Sequence, residues 1–166
     1  NQDLDFAFKD AISRIESMST LYEKLYKSES YGSLSIKDYL SQLVTEIFEI
    51  FPKEKDIALE LHIDDIEIET SVLFPIGIII NECITNIMKY AFTNKESGKI
   101  QIFIIKNGNN ISLVVQDDGS GLPSGFDRKK LESFGLSLID MLVDQLEGSF
   151  EMENDNGTKC TIKFCI

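Results

Sequence analysis

The stretch "VLFPIGIIINECITNIMKYAF", residues 72–92, constrains this chain more than any other. Its apolar run from Val72 to Ile80 is far shorter than the ~20 residues a bilayer span needs. A helix this apolar needs a second layer of structure to cover it. Thr70 or Ser71 is expected to cap it, and Pro75 is expected in its first turn, where a missing N–H costs little. Asn81, Glu82, Asn86 and Lys89 then interrupt the apolar pattern on closely spaced turns.

The flanking sequence supplies the covering layer. "IALELHI" (57–63) alternates like a half-buried strand, and "IEIE" (66–69) reads as a short one. "KIQIFIIK" and "ISLVVQD" read as a hairpin around "NGNN". A glycine-rich loop from Asp118 to about Ser133 leads to a helix over 134–146, and strands over 149–153 and 158–165 close the chain. Upstream, Phe8, Ile12, Ile15, Leu21, Tyr22 and Leu25 recur at helical spacing. Ser35, with Asp38 three residues on, is the expected N-cap of a second helix, ended by Pro52 and "KEKD". The expected fold is α+β, a two-layer sandwich of helices on one face of a mostly antiparallel sheet, with an N-terminal helical segment.

At 166 residues the chain suits one domain with a short appendage. A net charge of −12 disfavours a general grip on nucleic acid, although local donors can still hold phosphates. Cys83, Cys160 and Cys165 form no CxxC pair and read as reduced thiols, pointing to a cytoplasmic location. The chain starts at Asn1 with a helical pattern already under way, so it is expected to be a piece of something longer.

Three short motifs carry chemistry. Positions four apart share a helix face, so Glu82 and Asn86 point the same way and Lys89 lies one turn on. An amide oxygen can bind magnesium, a carboxylate can orient water, and an ammonium can neutralise phosphate. A polar stripe that simply meets solvent is the simpler explanation of this motif taken alone. In "VVQDDGSGLP" (114–123), alternation puts Asp117 on the face of Ile111, Leu113 and Val115, with Asp118 on the other. A carboxylate there is an acceptor suited to an exocyclic amine such as that of adenine, and Gly119 and Gly121 leave room beside a flat base. A plain Asp-Gly turn is the rival explanation. In "ESFGLSL", Gly135 opens a helix whose free N–H groups favour phosphate. Thr158, in "NGTK", begins a strand near the same place.

The order of these parts resembles the Bergerat-type ATP-binding fold shared by sensor histidine kinases and gyrase-like ATPases. "NECITNIMKYAF" is similar to the kinases' N box, "DDGSGLP" to their first glycine box and "FGLSLIDMLVDQLEGSF" to their second. Residues 14–44 resemble the second helix of a dimerisation and phosphoacceptor stem, from a subfamily with an H-R-V-K-N-N-like motif absent from this sequence. The resemblance implies an incomplete stem over 1–33 and an ATP-binding catalytic domain over 34–166. It implies that Glu82 is catalytic, that Asn86 binds magnesium, and that Lys89 and Tyr90 reach the phosphates or ribose. It further implies that Asp117 reads adenine beside Gly119 and Gly121, that Gly135 and Leu136 line the phosphate end, and that Thr158 supports Asp117. ATP and magnesium are the implied ligands; a response regulator, and a second copy in the full-length protein, are the implied partners. Many subfamily members carry histidine where Tyr90 stands. The alternatives on the same fold are an anti-sigma-type serine kinase and a non-catalytic ATP-binding interaction module. The one histidine, His62, is expected at the sheet surface rather than as phosphoacceptor, so the acceptor is expected upstream of this sequence.

Overall fold

A computed structural model describes residues 8, 12, 15, 19, 33–51, 55–126 and 134–166. The expectations for Leu21, Tyr22, Leu25 and Pro52, and for the loop over 127–133, lie outside the described residues. Elements follow in the order β1 (Ser33–Ser35), α1 (Ile36–Ile50), β2 (Asp56–Ile63), β3 (Glu67–Glu69), α2 (Thr70–Asn86), a π-helical turn (Ile87–Ala91), β4 (Ser97–Asn107), β5 (Asn110–Asp117), α3 (Phe134–Gln145), β6 (Ser149–Asn154) and β7 (Thr158–Cys165). The main sheet has five strands in the order β2-β4-β5-β7-β6, and β1 pairs with β3 in a separate two-stranded ribbon. Strand β2 runs parallel to β4, while the other neighbours in the main sheet are antiparallel.

The period-2 pattern sets the two sheet faces. Ile102 lies opposite Val115 and Ile104 opposite Leu113, and Val115 and Leu113 in turn face Cys160 and Ile162. All of these are buried beneath the helices. A fully buried side chain of this size contributes about 1.5–3 kcal/mol, so the row specifies the register strongly. On the opposite face His62 stacks on Phe103 with ring centroids 4.8 Å apart and has Glu60 3.8 Å away, the surface position expected for it.

Two helix starts illustrate where sequence signals held and where they did not. Ser35 caps α1 as expected, its hydroxyl accepting the Asp38 N–H at 3.2 Å. Neither Thr70 nor Ser71 caps α2. The helix begins at Thr70 with Glu69 at the cap position, and the Ser71 hydroxyl lies 3.3 Å from the Glu69 carboxylate. The start is set instead by β3, which runs directly into the helix. Pro75 consequently lies in the second turn, where it denies the Ser71 carbonyl an N–H partner. The span Thr70–Ala91 is long and apolar enough to cross a membrane, yet 72% of its most apolar window is buried inside the protein.

Candidate functional site

Helix α2 ends in a π-helical turn, a rare form that recurs at functional sites. Its wider winding changes where the backbone carbonyls go. The Ala91 carbonyl accepts the Ser120 N–H at 2.9 Å, and the Tyr90 carbonyl meets the Ser120 hydroxyl at 3.4 Å. The glycine loop after β5 is thereby docked on the end of α2. Gly119 makes that contact sterically possible, since a Cβ there would lie 2.5 Å from the Ala91 carbonyl oxygen and Cβ. Lys95 reinforces the junction by donating to the Asp118 and Gly119 carbonyls.

The two adjacent aspartates divide their work. Asp118 continues the strand pairing: its carboxylate accepts the Lys99 N–H at 2.7 Å and its N–H donates to the Lys99 carbonyl. Asp117 points inward and is only 2% exposed. Its Oδ1 accepts the N–H groups of Gly119 at 2.8 Å and Thr158 at 3.2 Å. Its Oδ2 is buried with no hydrogen-bond partner. Burial pushes the Asp117 carboxyl above the usual aspartate range; hydrogen bonds from Gly119 and Thr158 oppose this, and the neighbouring Asp118 adds to it. Gly157 is the hidden support, because a Cβ there would sit 2.0 Å from the Asp117 carbonyl oxygen, at φ +147°. A buried acceptor held from one side and vacant on the other costs on the order of 1–3 kcal/mol unless a donor arrives.

Asp117 lines a cavity of about 580 Å³, within the range of small-molecule sites. Cys83, Asn86, Ile87 and Tyr90 line it from one face of α2 and the π turn, at helical spacing. Gly121, Leu122, Pro123 and Phe126 form its rim, and Leu136, Met152 and Cys160 close the apolar side. The rim is tied down by Asn154, whose Oδ1 accepts the Leu122 N–H at 2.6 Å. Gly121, at φ +72°, packs on that same oxygen.

At the far end lies the polar part of α2. Glu82 is 2% exposed, Asn81 and Thr85 are buried and Asn86 is half-buried. The first turn of α3 comes so close that a Cβ on Gly135 would stand 2.7 Å from Glu82 Oε2 and 3.9 Å from Asn86 Nδ2. Glycine there lets the start of α3 meet the acid and the amide directly. Among the described residues no cluster of three or more His, Cys, Asp or Glu could hold a metal ion. The donor set is one amide and one carboxylate, enough for a magnesium ion that takes its other ligands from phosphates and water.

Of the residues singled out in the sequence, Asn86, Tyr90, Asp117, Gly121, Leu136 and Thr158 line the cavity. Glu82 and Gly135 meet beside Asn86, and Gly119 faces Ala91 rather than the cavity. Lys89 is half-buried in the π turn and does not line the cavity. Sequence reasoning passed over Asn154 and Gly157. Gly157 carried a weak signal in "NDNG", whereas Asn154 acts through a loop thirty-two residues away and had none.

Two family models match the chain: histidine kinase-, DNA gyrase B- and HSP90-like ATPases over residues 74–166, and a histidine kinase family over residues 1–51. Blue-light-activated histidine kinase 2 of Erythrobacter litoralis is 25% identical over 82% of this chain and 41% of its own length. The sensor histidine kinase PdtaS of Mycolicibacterium smegmatis is 25% identical over the whole chain and 34% of its own length. The chain thus spans well under half of these relatives. The solved histidine kinase domain from the Erythrobacter litoralis EL346 blue-light-activated kinase superposes with a TM-score of 0.84 at 21% identity, covering 94% of this chain and 74% of that one. The ATP-binding domain of PrrB from Mycobacterium tuberculosis gives 0.65 at 20% identity, covering 80% and 95%. With its acid-backed cavity between helices and sheet, the chain belongs to the histidine kinase-, DNA gyrase B- and HSP90-like ATPase family and is an ATP-binding domain of the sensor histidine kinase type.

Proposed function

We propose that this chain is the catalytic part of a two-component sensor kinase, which transfers the γ-phosphoryl group of ATP to a histidine and thence to a response regulator. The observation that carries the nucleotide reading is the vacant, buried Oδ2 of Asp117 on the cavity wall. An exocyclic amine satisfies that oxygen, whereas the carbonyl of guanine would place acceptor against acceptor. Asn86 is the residue that would hold magnesium, which would neutralise phosphate charge. Glu82 would orient the attacking group, and the first turn of α3 would offer its N–H groups to the phosphates. Tyr90, 68% exposed and lining the cavity, would cover the ribose or phosphates. Lys89 would act from the π turn as a phosphate-neutralising charge.

His62 lies on the sheet face away from the helices, and we assign the acceptor role to a histidine outside this sequence. Phe8, Ile12 and Ile15 are helical and 46–64% exposed, and with Ser19 they mark one helix face. That stripe is suited to pairing within a stem of the full-length dimer, in the cytoplasm.

Calorimetric titration with ATP and GTP, with and without magnesium, tests the reading. Selective, magnesium-sensitive ATP binding is expected, and equal affinity for GTP would overturn the role of Asp117. Joining a histidine-bearing stem helix upstream is expected to give autophosphorylation; bound ATP without transfer would remove the histidine kinase assignment.

A further inference from the structure

Asparagine followed by glycine occurs twice in the chain, at Asn107–Gly108 and Asn156–Gly157. Such a pair can react with itself, because a residue without a side chain leaves its nitrogen free to approach the asparagine side-chain carbonyl. The fold treats the two pairs differently. Asn107 ends β4 and pairs with Asn110 across the hairpin, and a Cβ on Gly108 would meet nothing within 4 Å. Asn156 lies beyond the last pair of the β6–β7 hairpin, Asn154 with Thr158. It is exposed, with a left-handed φ of +54°, and its Nδ2 donates a long hydrogen bond of 3.4 Å to Asp155 Oδ1. Ring closure twists the bond between Cα and the backbone carbonyl, which ladder pairing resists and a turn allows. Behind Asn156 the chain has no slack. Gly157 is buried against Asp117, where a Cβ would stand 2.0 Å from the carbonyl oxygen. The next N–H, that of Thr158, donates to Asp117 Oδ1 at 3.2 Å. Gln116 fixes the other side of the turn, its Nε2 donating to the Asp155 carbonyl at 3.0 Å.

We propose that Asn156 is a site of spontaneous deamidation to isoaspartate, and that the altered backbone disables the Asp117 acceptor of the nucleotide cavity. The Gly157 nitrogen bonds to Asn156 Cγ while the Cγ–Nδ2 bond breaks. The Gly157 amide proton passes through water to the departing nitrogen, which leaves as ammonia. A second water then opens the cyclic imide at either carbonyl. Opening at Cγ gives ordinary aspartate. Opening at the backbone carbonyl leaves the chain running through Cβ and Cγ, one atom longer, with a carboxylate on Cα. Water is the co-reactant, and nothing is oxidised or reduced. The two products separate two effects. Aspartate adds a charge at an exposed position and keeps the backbone path. Isoaspartate inserts an atom directly before Gly157, which has no room to move toward Asp117, so the Thr158 N–H leaves its place. Asp117 Oδ1 then keeps the Gly119 N–H and loses that of Thr158, one of the hydrogen bonds that hold the carboxyl ionised against burial.

The loss of binding rests on the nucleotide reading, whereas the modification does not, and the test keeps them apart. The folded chain is aged in warm, mildly alkaline buffer and mapped by peptide mass spectrometry, with isoaspartate counted by enzymatic carboxyl methylation. Asn156 is expected to convert ahead of Asn107, with isoaspartate as the larger product. An intact Asn156, or conversion led by Asn107, overturns the site. Asn156→Gly accepts the left-handed φ and has no amide to lose, so it is expected to age without isoaspartate at that position and to keep its ATP binding. Loss of binding by aged Asn156→Gly as fast as by wild type overturns the link to Asn156. The isoaspartyl fraction is expected to bind ATP at least roughly tenfold more weakly than unaged protein. Fresh Asn156→Asp, which carries the charge alone, is expected to stay within about twofold of wild type. Isoaspartyl protein that binds normally, or an equal loss in Asn156→Asp, overturns the backbone mechanism. Hydrogen exchange at the Thr158 amide reads the same change without nucleotide. Its protection is expected to be lost in the isoaspartyl form and kept in Asn156→Asp, and protection retained in both overturns the coupling. If unaged protein binds no ATP, the nucleotide reading falls, while mapping and exchange still decide the modification and its effect on Asp117.

Discussion

From Thr70 to Ile80, helix α2 packs side chain on side chain. Leu73, Ile76, Ile79 and Ile80 are fully buried, and Gly77 lies so close under Tyr39 that a Cβ would stand 2.1 Å from its hydroxyl oxygen. From Asn81 to Ala91 the chain is almost as well buried but meets loop backbone, the first turn of α3 and a cavity. Equal burial therefore serves two ends. The first half holds the domain together, while the second brings Glu82 and Asn86 against the start of α3 and forms part of the cavity wall.

The largest effect that would sharpen this contrast is expected from Asp117→Asn. Nucleotide affinity should fall by roughly a hundredfold, about 3 kcal/mol, because a buried charged acceptor is lost. Unfolding free energy should hold or rise, since burial works against the ionised carboxyl. Parallel calorimetry and urea unfolding would show both, and a fall in stability matching the fall in affinity would erase the distinction between the halves. Gly77→Ala should do the reverse. Tyr39 is buried and cannot swing aside, so overpacking should cost about 1–3 kcal/mol in urea unfolding. Nucleotide affinity of the folded fraction should stay as in the wild type.

Gly135→Ala probes the second half from across the cavity. Its Cβ would displace the Glu82 carboxylate, whereas helix propensity favours alanine, so stability should change by under about 1 kcal/mol. Phosphoryl transfer by the assembled kinase should drop roughly tenfold to a hundredfold because the acid is misplaced. Unchanged transfer would remove Glu82 from the reaction.

The smallest effect is the pH dependence carried by Asp117. Its carboxyl is raised in the folded state, so its contribution to stability is fully present below the ordinary aspartate range and lost as pH rises through the raised value. Adenine binding runs the other way and should weaken as pH falls through that same value. Subtracting the Asp117→Asn profile from the wild type in each measurement isolates the two limbs. Limbs of the same sign would contradict the assignment of Oδ2 as the acceptor.

Much of this was legible because it rests on local pattern. Alternation along β5 placed Asp117 inward and Asp118 outward, and spacing placed Glu82 and Asn86 together, since neither inference needs a distant residue. The Ser35 cap was readable for the same reason. The start of α2 was not, because β3 feeding directly into the helix outweighed the preference of Thr70 and Ser71 for a cap. Gly119 read as room for a base, whereas its neighbour is Ala91, brought there by a π turn that no spacing rule anticipates.

By itself, the sequence determined a two-layer α+β domain, the order of its elements and the inward acid, because hydrophobic periodicity and strand alternation are set residue by residue. Only the tertiary structure decided which groups share the cavity. It laid Gly135 against Glu82, hung the glycine rim on Asn154 and backed Asp117 with Gly157. Those contacts join residues far apart in the chain, and they exist only once the helices have closed over the sheet.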